Sequence, residues 1–214
     1  MATNKEMQKK RMMSYFIIAA QQIIQEEGIK AVTIRKVAAL AGYNSATIYN
    51  YFENLENLLF FASMKYLRDY SLGVSDYIKD CTNSMERFFK VWEYFSHYSF
   101  AHSEVFHHIF FNKYNNTIGS TIKAYYDIFP EDLGEHESII TDMLKGENIY
   151  ERNKILLHSL VTDGYLREEH FENVNILITA CYQTLLYENT QSPQADISQK
   201  RMLEMIDFIL KTCA

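Results

Sequence analysis

Hydrophobic and polar positions along the chain repeat with a helical period almost throughout. Between Lys9 and Glu27, Phe16, Ala20, Ile23 and Ile24 fall on one face, which predicts a first helix ended by Gly28. Residues 1 to 7 are polar and are expected to be loose. Residues 33 to 55 predict two short helices joined by a tight turn. Thr33 N-caps the first and Gly42 ends it; Asn44 caps the second, which runs from Ser45 to Tyr51. Ile34, Val37 and Ala38 form an apolar stripe on the first of these, and Ile48 anchors the second. Ala38 and Gly42 are small where the two must cross. This is the composition of a helix-turn-helix, whose second helix enters the DNA major groove.

The pattern beyond is helix after helix. Asn54 opens one that continues to Tyr70, with Glu56 in its first turn, where a carboxylate favours the helix dipole. Asn83 with Glu86 reads as a capping box and opens a helix to Phe100. Further helices are predicted over 103–114, over 117–129 with a stop at Pro130, and, after a loop at Gly134, over 136–144, 147–162, 168–190 and 197–212. No run alternates long enough for a strand. The fold class is therefore all-α: a three-helix head over residues 1–53 and a helical body over 54–214, with no Pro/Gly/Ser linker between them.

Composition narrows the function classes. Hydrophobic residues make up 48% of the 214, enough for a packed core, and two prolines and seven glycines suit long helices. Three scattered cysteines without a CxxC spacing support neither a disulfide framework nor a zinc ribbon, and fit a reduced cytoplasmic compartment. The net charge of −6 is unevenly divided. Residues 1 to 56 carry seven Lys/Arg and five Glu, a net +2, so the remainder carries −8. A mildly basic head on an acidic body orients one end toward phosphate. Lys9-Lys10-Arg11 followed by an apolar run imitates a signal peptide, but amphipathic periodicity explains that run better. No stretch approaches the ~20 apolar residues of a membrane span.

Gly28, Thr33, Arg35, Val37-Ala38, Ala41-Gly42, Thr47-Ile48-Tyr49, Tyr51-Phe52 and Glu56-Asn57-Leu58 agree in order and spacing with one known pattern. In this the chain resembles TetR-like transcriptional regulators over roughly residues 10 to 60. The resemblance implies a one-component regulator, a repressor, reading double-stranded DNA at a pseudo-palindromic operator under the control of a small effector. Thr33 and Arg35 then serve phosphate at the supporting helix, and Asn44 and Ser45 at the reading helix. Ala46, Thr47, Tyr49, Asn50 and Tyr51 face the groove, offering hydroxyls, an amide and small apolar surfaces. One position departs from the family. Leu55 stands where a phosphate-binding Lys is usual, which predicts weaker non-specific affinity unless Asn54 and the basic arm Lys5–Arg11 compensate.

The body is rich in aromatics: sixteen Tyr and fourteen Phe bring the aromatic share to 14%. They crowd residues 88 to 114. With Tyr94, His97 and His108 nearby, Trp92, Phe95, Tyr98, Phe106, His107 and Phe110 are the candidate lining of a pocket for an apolar or aromatic effector. Glu104 and His107 have the Glu-x-x-His spacing of di-iron bundles, but such sites need a second motif and two further carboxylates. No metal or cofactor is expected. Neither is catalysis, because no phosphate loop, nucleophile elbow or supported Cys/His pair occurs. The last two long helices are apolar on two faces: Phe171, Val174, Leu177, Ile178, Cys181 and Leu185 share one side, and Ile176, Ala180, Gln183 and Tyr187 another. Packing one face on the body and the other on a second copy predicts a homodimer. Two rivals are a helical small-molecule binding protein with a degenerate head and, on Glu104 and His107 alone, a helical metalloenzyme.

Overall fold

The computed structural model describes residues 3–130 and 137–213. Among them the chain is all α-helix and turn, without strands. The helices are α1 (Asn4–Glu27), α2 (Ile34–Ala41), α3 (Ser45–Ile48), α4 (Leu55–Ile78), α5 (Ser84–Ala101), α6 (Ser103–Phe111), α7 (Ile118–Ile128), α8 (Ser138–Lys145), α9 (Ile149–Thr162), α10 (Phe171–Gln191) and α11 (Ala195–Cys213). They fall into two compact units. One comprises Met1–Leu67 with Ser120–Asp132, the other Arg68–Gly119 with Leu133–Ala214. Helix α4 therefore contributes residues to both.

Several expected boundaries move. From Thr3 onward the N-terminus is not loose: Thr3 Oγ1 accepts from the Glu6 amide, and the Glu6 carboxylate accepts from the Thr3 amide at 2.7 Å. This reciprocal capping box starts α1 five residues before Lys9. Helix α4 runs eight residues past Tyr70, through Gly73. The Tyr94 phenol lies across α4 at that glycine, where a side chain would overlap it. At the start of α5, Asn83 caps the Glu86 amide, yet the Glu86 carboxylate reaches Thr82 rather than Asn83. The loop expected at Gly134 and the helix start at His136 lie outside the described residues.

The first unit is built on α1. Its Phe16, Ile17, Ala20, Ile23 and Ile24 are buried, as are Val37, Ala38, Ile48 and Phe52 of the helix-turn-helix. Phe16 meets the rings of Tyr43, Tyr51 and Phe52 at centroid distances of 5.4, 5.9 and 6.5 Å. Such pairs add roughly 0.5–1.5 kcal/mol each beyond area burial. The Gln21 side-chain amide donates to the Ala62 carbonyl and the Tyr125 hydroxyl, which ties α1 to α4 and α7.

The second unit is centred on Tyr182 of α10. Its ring is fully buried among Trp92, Phe95, Phe100, Phe110 and Phe111, the nearest centroid being Phe95 at 5.2 Å. Asn189 fastens the far end. It donates to the Phe100 carbonyl and accepts from the Gln194 amide and the Ser198 hydroxyl, joining α5, α10 and α11.

Candidate DNA interface and effector cavity

Helix α2 is framed by its end residues. Thr33 accepts from the Lys36 amide, and Gly42 adopts the left-handed conformation at φ 78°. The Gly42 and Tyr43 amides donate back to Ala39 and Ala38 in the Schellman pattern, which an L-residue at 42 would strain. Tyr43 is thereby placed on α1, and Asn44 is left free to cap α3 by accepting from the Thr47 amide (3.0 Å) and hydroxyl (3.1 Å).

The reading element is shorter than expected. α3 ends at Ile48, and residues 49–51 follow as turns in which the Asn50 and Tyr51 amides donate to Thr47 and Ile48. Such i to i+3 bonds tighten the last turn of a helix. Ala46, Tyr49 and Asn50 are exposed, with Tyr49 at 57%, while Ser45, Thr47 and Tyr51 are half-buried. Tyr51 packs its ring on Phe16, so its hydroxyl end is the part that can reach outward. Thr33, Arg35 and Asn44 are exposed on the same helix pair. Asn54 accepts from the Asn57 amide at 2.9 Å and so caps α4 ahead of Leu55.

Arg11 donates from Nε to the Tyr15 hydroxyl at 2.7 Å, and Tyr15 stacks on Tyr43 at 6.3 Å. A basic side chain of α1 is thus held beside the helix-turn-helix turn. The segment Lys5–Arg11 is helical, so any contact it makes with DNA comes from side chains on a helix and not from an extended arm.

In the second unit, Trp92 and Phe95 line a cavity of about 20 Å³ with Tyr70, Arg152 and Asn153. That is room for one water. The Trp92 indole donates to Asn153 Oδ1 (2.9 Å), and Asn153 Nδ2 donates to Asn175 Oδ1 (2.9 Å). Arg152 is 3% exposed and donates from Nε to the Gly146 carbonyl (3.0 Å) and from NH2 to the Leu144 carbonyl (2.8 Å). Burial raises the pKa of the Tyr70 phenol, and the Arg152 charge opposes that shift. Phe106 and Phe110 are fully buried in the ring cluster and do not line this cavity. Tyr98 is half-buried beside His102 and Phe106, and His107 lies between Phe111 and Tyr187. Among the described residues no group of three or more His, Cys, Asp or Glu could hold a metal ion. No helix among them is long and apolar enough to cross a membrane.

Helices α10 and α11 flank an open apolar groove of about 670 Å³, lined by Leu177, Cys181, Leu185, Met205 and Phe208. The expected faces of α10 are therefore corrected. Val174 and Ile178 turn inward with Tyr182 and Leu186, while Leu177, Cys181 and Leu185 turn to the groove. The inward stripe is the row at steps of four from Val174. The expected grouping merged it with its neighbour because both are apolar.

With this geometry in view, residues 16–60 match the family described as bacterial regulatory proteins, tetR family. That is a similarity of the head alone. Solved structures extend the likeness in fold to the body. The Thermus thermophilus FadR, described as a TetR-family transcriptional repressor in complex with lauroyl-CoA, superposes with a TM-score of 0.57 at 14% identity, covering 93% of this chain and 91% of that one. RolR in complex with resorcinol gives 0.56 at 13%, covering 95% and 93%. SmeT, the repressor of the Stenotrophomonas maltophilia multidrug efflux pump SmeDEF, gives 0.54 at 14%, covering 94% and 89%. No curated protein sequence matches the chain.

Outside the head, the sequence pattern did not single out Arg152, Asn153 and Tyr70. A signal was present for two of them. Arg152 and Asn153 fall on the stripe defined by Ile149, Leu156 and Leu160, so polar residues interrupt the buried face of α9.

Proposed function

We propose that this protein is a one-component transcriptional regulator, a repressor, that binds a pseudo-palindromic operator as a homodimer and is controlled by a small apolar or aromatic effector in its second unit. The tetR-family head carries the proposal: an exposed reading turn with Ala46, Tyr49 and Asn50, flanked by the capped starts of α2 and α3. Side chains there suit base edges, and the helix starts with Thr33, Arg35, Asn44 and Ser45 suit phosphate. The half-buried Thr47 and Tyr51 complete the groove-facing set.

Trp92 and Phe95 supply the effector cavity, with Tyr98, Phe106, His107 and Phe110 around it. At about 20 Å³ the cavity has room for one water, so an effector enters by displacing its walls. Tyr70 in one of those walls belongs to α4, the helix that starts just after the head, and α4 is the route by which a displaced wall alters DNA binding. A ~100-fold preference of effector for the DNA-incompetent state corresponds to about 2.7 kcal/mol of coupling. The apolar groove of α10 and α11 is the second copy's seat, since Phe208 at 67% exposure and Ile176, Leu177 and Met205 are otherwise open to water. No catalytic role is assigned.

Leu55 favours a second reading, a small-molecule binding protein whose head no longer grips DNA. Selection of bound fragments from sheared genomic DNA separates the two. The regulator enriches discrete fragments sharing an inverted repeat, and the Thr47→Ala/Tyr49→Ala variant loses them. Enrichment no greater than for the variant leaves the binding-protein reading.

A further inference from the structure

Lys5, Lys9, Lys10 and Arg11 crowd the start of α1, and one of them is held in place. The capping box at Thr3 begins the helix at Asn4, so Arg11 sits about two turns inside it. One turn further on, the Tyr15 hydroxyl accepts from Arg11 Nε at 2.7 Å. The Tyr15 ring stacks on Tyr43 with centroids 6.3 Å apart, and the next residue, Phe16, meets Tyr43 edge-on at 5.4 Å. Tyr43 lies between Gly42 and the Asn44 cap, in the turn that sets the direction of α3. The chain Arg11–Tyr15–Tyr43 thus ties a guanidinium to the turn of the helix-turn-helix. It does so at the surface, since Arg11 and Tyr43 are exposed and Tyr15 is half-buried.

The guanidinium is fixed by a neutral phenol and not by a counter-ion. No described carboxylate forms an ion pair with it, whereas Lys36 of α2 is taken by Glu27 at 2.6 Å. With Nε committed to the Tyr15 oxygen, the terminal amino groups still form a planar fork, which matches the oxygens of a phosphate. Ordering a long side chain costs conformational entropy, and here the ordering is complete before DNA arrives. We propose that Arg11 is a phosphate contact of the DNA interface, gripping the backbone beside the α2–α3 turn, and that Tyr15 is the residue that positions it. This rests on the reading that the head binds DNA. The contact offsets, from another helix, the cation that Leu55 does not supply.

The full chain and its Tyr15→Phe, Arg11→Gln, Arg11→Lys and Tyr15→Phe/Arg11→Gln variants are compared by fluorescence anisotropy across a salt series. The probes are a mixed-sequence duplex and fragments recovered by genomic selection. Arg11→Gln is expected to flatten the slope of log affinity against log salt by about 0.9 on the mixed-sequence duplex. Tyr15→Phe keeps both the charge and the ring stack, so it should keep the slope and lose about fivefold in affinity at unchanged Tm. Arg11→Lys should keep the slope too and bind about as weakly as Tyr15→Phe, because lysine has no fork. Adding Tyr15→Phe to Arg11→Gln should change nothing further, a coupling that a merely structural Tyr15 would not show. An unchanged slope in Arg11→Gln, full affinity in Tyr15→Phe, or a Tyr15→Phe loss that persists without Arg11 would each overturn the proposal. If the parent binds selected fragments and the variants match it, the regulator reading stands and the proposal fails. If Arg11 and Tyr15 matter on the mixed-sequence duplex while selection recovers no fragment, the proposal stands and the regulator reading fails. Absence of binding to either DNA overturns both.

Discussion

Replacing Asn153 with Ala tests the polar brace behind the cavity. The Asn153 side chain accepts from the Trp92 indole and donates to Asn175, both at 2.9 Å, and both partners are buried. Alanine leaves one N–H and one carbonyl oxygen unpaired in the core. Each such group costs about 1–3 kcal/mol, so the loss should centre near 4 kcal/mol. For a chain of this size each kcal/mol shifts Tm by about 2–4 °C, which puts the drop near 8–16 °C. Urea unfolding followed by circular dichroism, at one fixed protein concentration, measures the loss. Trp92 emission should also shift to the red as its N–H finds water. Pairing Trp92→Phe with Asn153→Leu removes the indole donor as well, and the double variant should be less destabilised than the two single losses added together. A cost below about 1 kcal/mol for Asn153→Ala would refute the reasoning, since it would mean that the brace is already hydrated or unimportant.

Phe208→Glu places a charge in the α10/α11 groove. Sedimentation is expected to show a dimer for the parent and a monomer for the variant, and a variant that sediments as a dimer would move the interface elsewhere. Leu55→Lys restores a cation at the capped start of α4, and the slope of log affinity against log salt should steepen by about 0.9 on one duplex; no change would mean that no phosphate lies there. Arg11→Gln should flatten the same slope by a similar amount while leaving Tm near that of the parent, because Arg11 is exposed and positioned by Tyr15 beside the turn. Burial lowers the pKa of His107, and also that of His102, where Asp69 partly opposes it. The unfolded chain then binds more protons below the usual histidine value of about 6.5. Stability is full above that pH and falls as pH drops through it, and the fall should be shallower in His107→Gln when Tm is followed across that range.

The helical class and the helix-turn-helix were readable in the sequence because their signals are local. Thr33, Gly42 and Asn44 act within four residues of the groups they satisfy, and periodicity places Val37 and Ile48 inward regardless of what they touch. Ends set by tertiary contact were not readable. The expected end of α4 at Tyr70 overlooked the buried row Tyr70, Val74 and Ile78 at steps of four; Gly73 sits within it because the Tyr94 phenol from another helix leaves no room for a side chain there. The body's chemistry was legible only in part. Aromatic crowding pointed to residues 88 to 114, but it could not separate Trp92 and Phe95, which reach the cavity, from Phe106 and Phe110, which pack on Phe95 without lining it. That distinction depends on which helices cross where. Arg152, 60 residues from Trp92 in sequence, joins it at the cavity only through the packing of α5 on α9.

The measurement that bears most directly on the proposed function is binding to the DNA upstream of the protein's own gene, by fluorescence anisotropy across a salt series, with the parent and the Thr47→Ala/Tyr49→Ala variant side by side. Tight, sequence-dependent binding by the parent that the variant loses is the predicted result. Parent binding no tighter than to random duplex, at every salt concentration and also for fragments recovered by genomic selection, would contradict it.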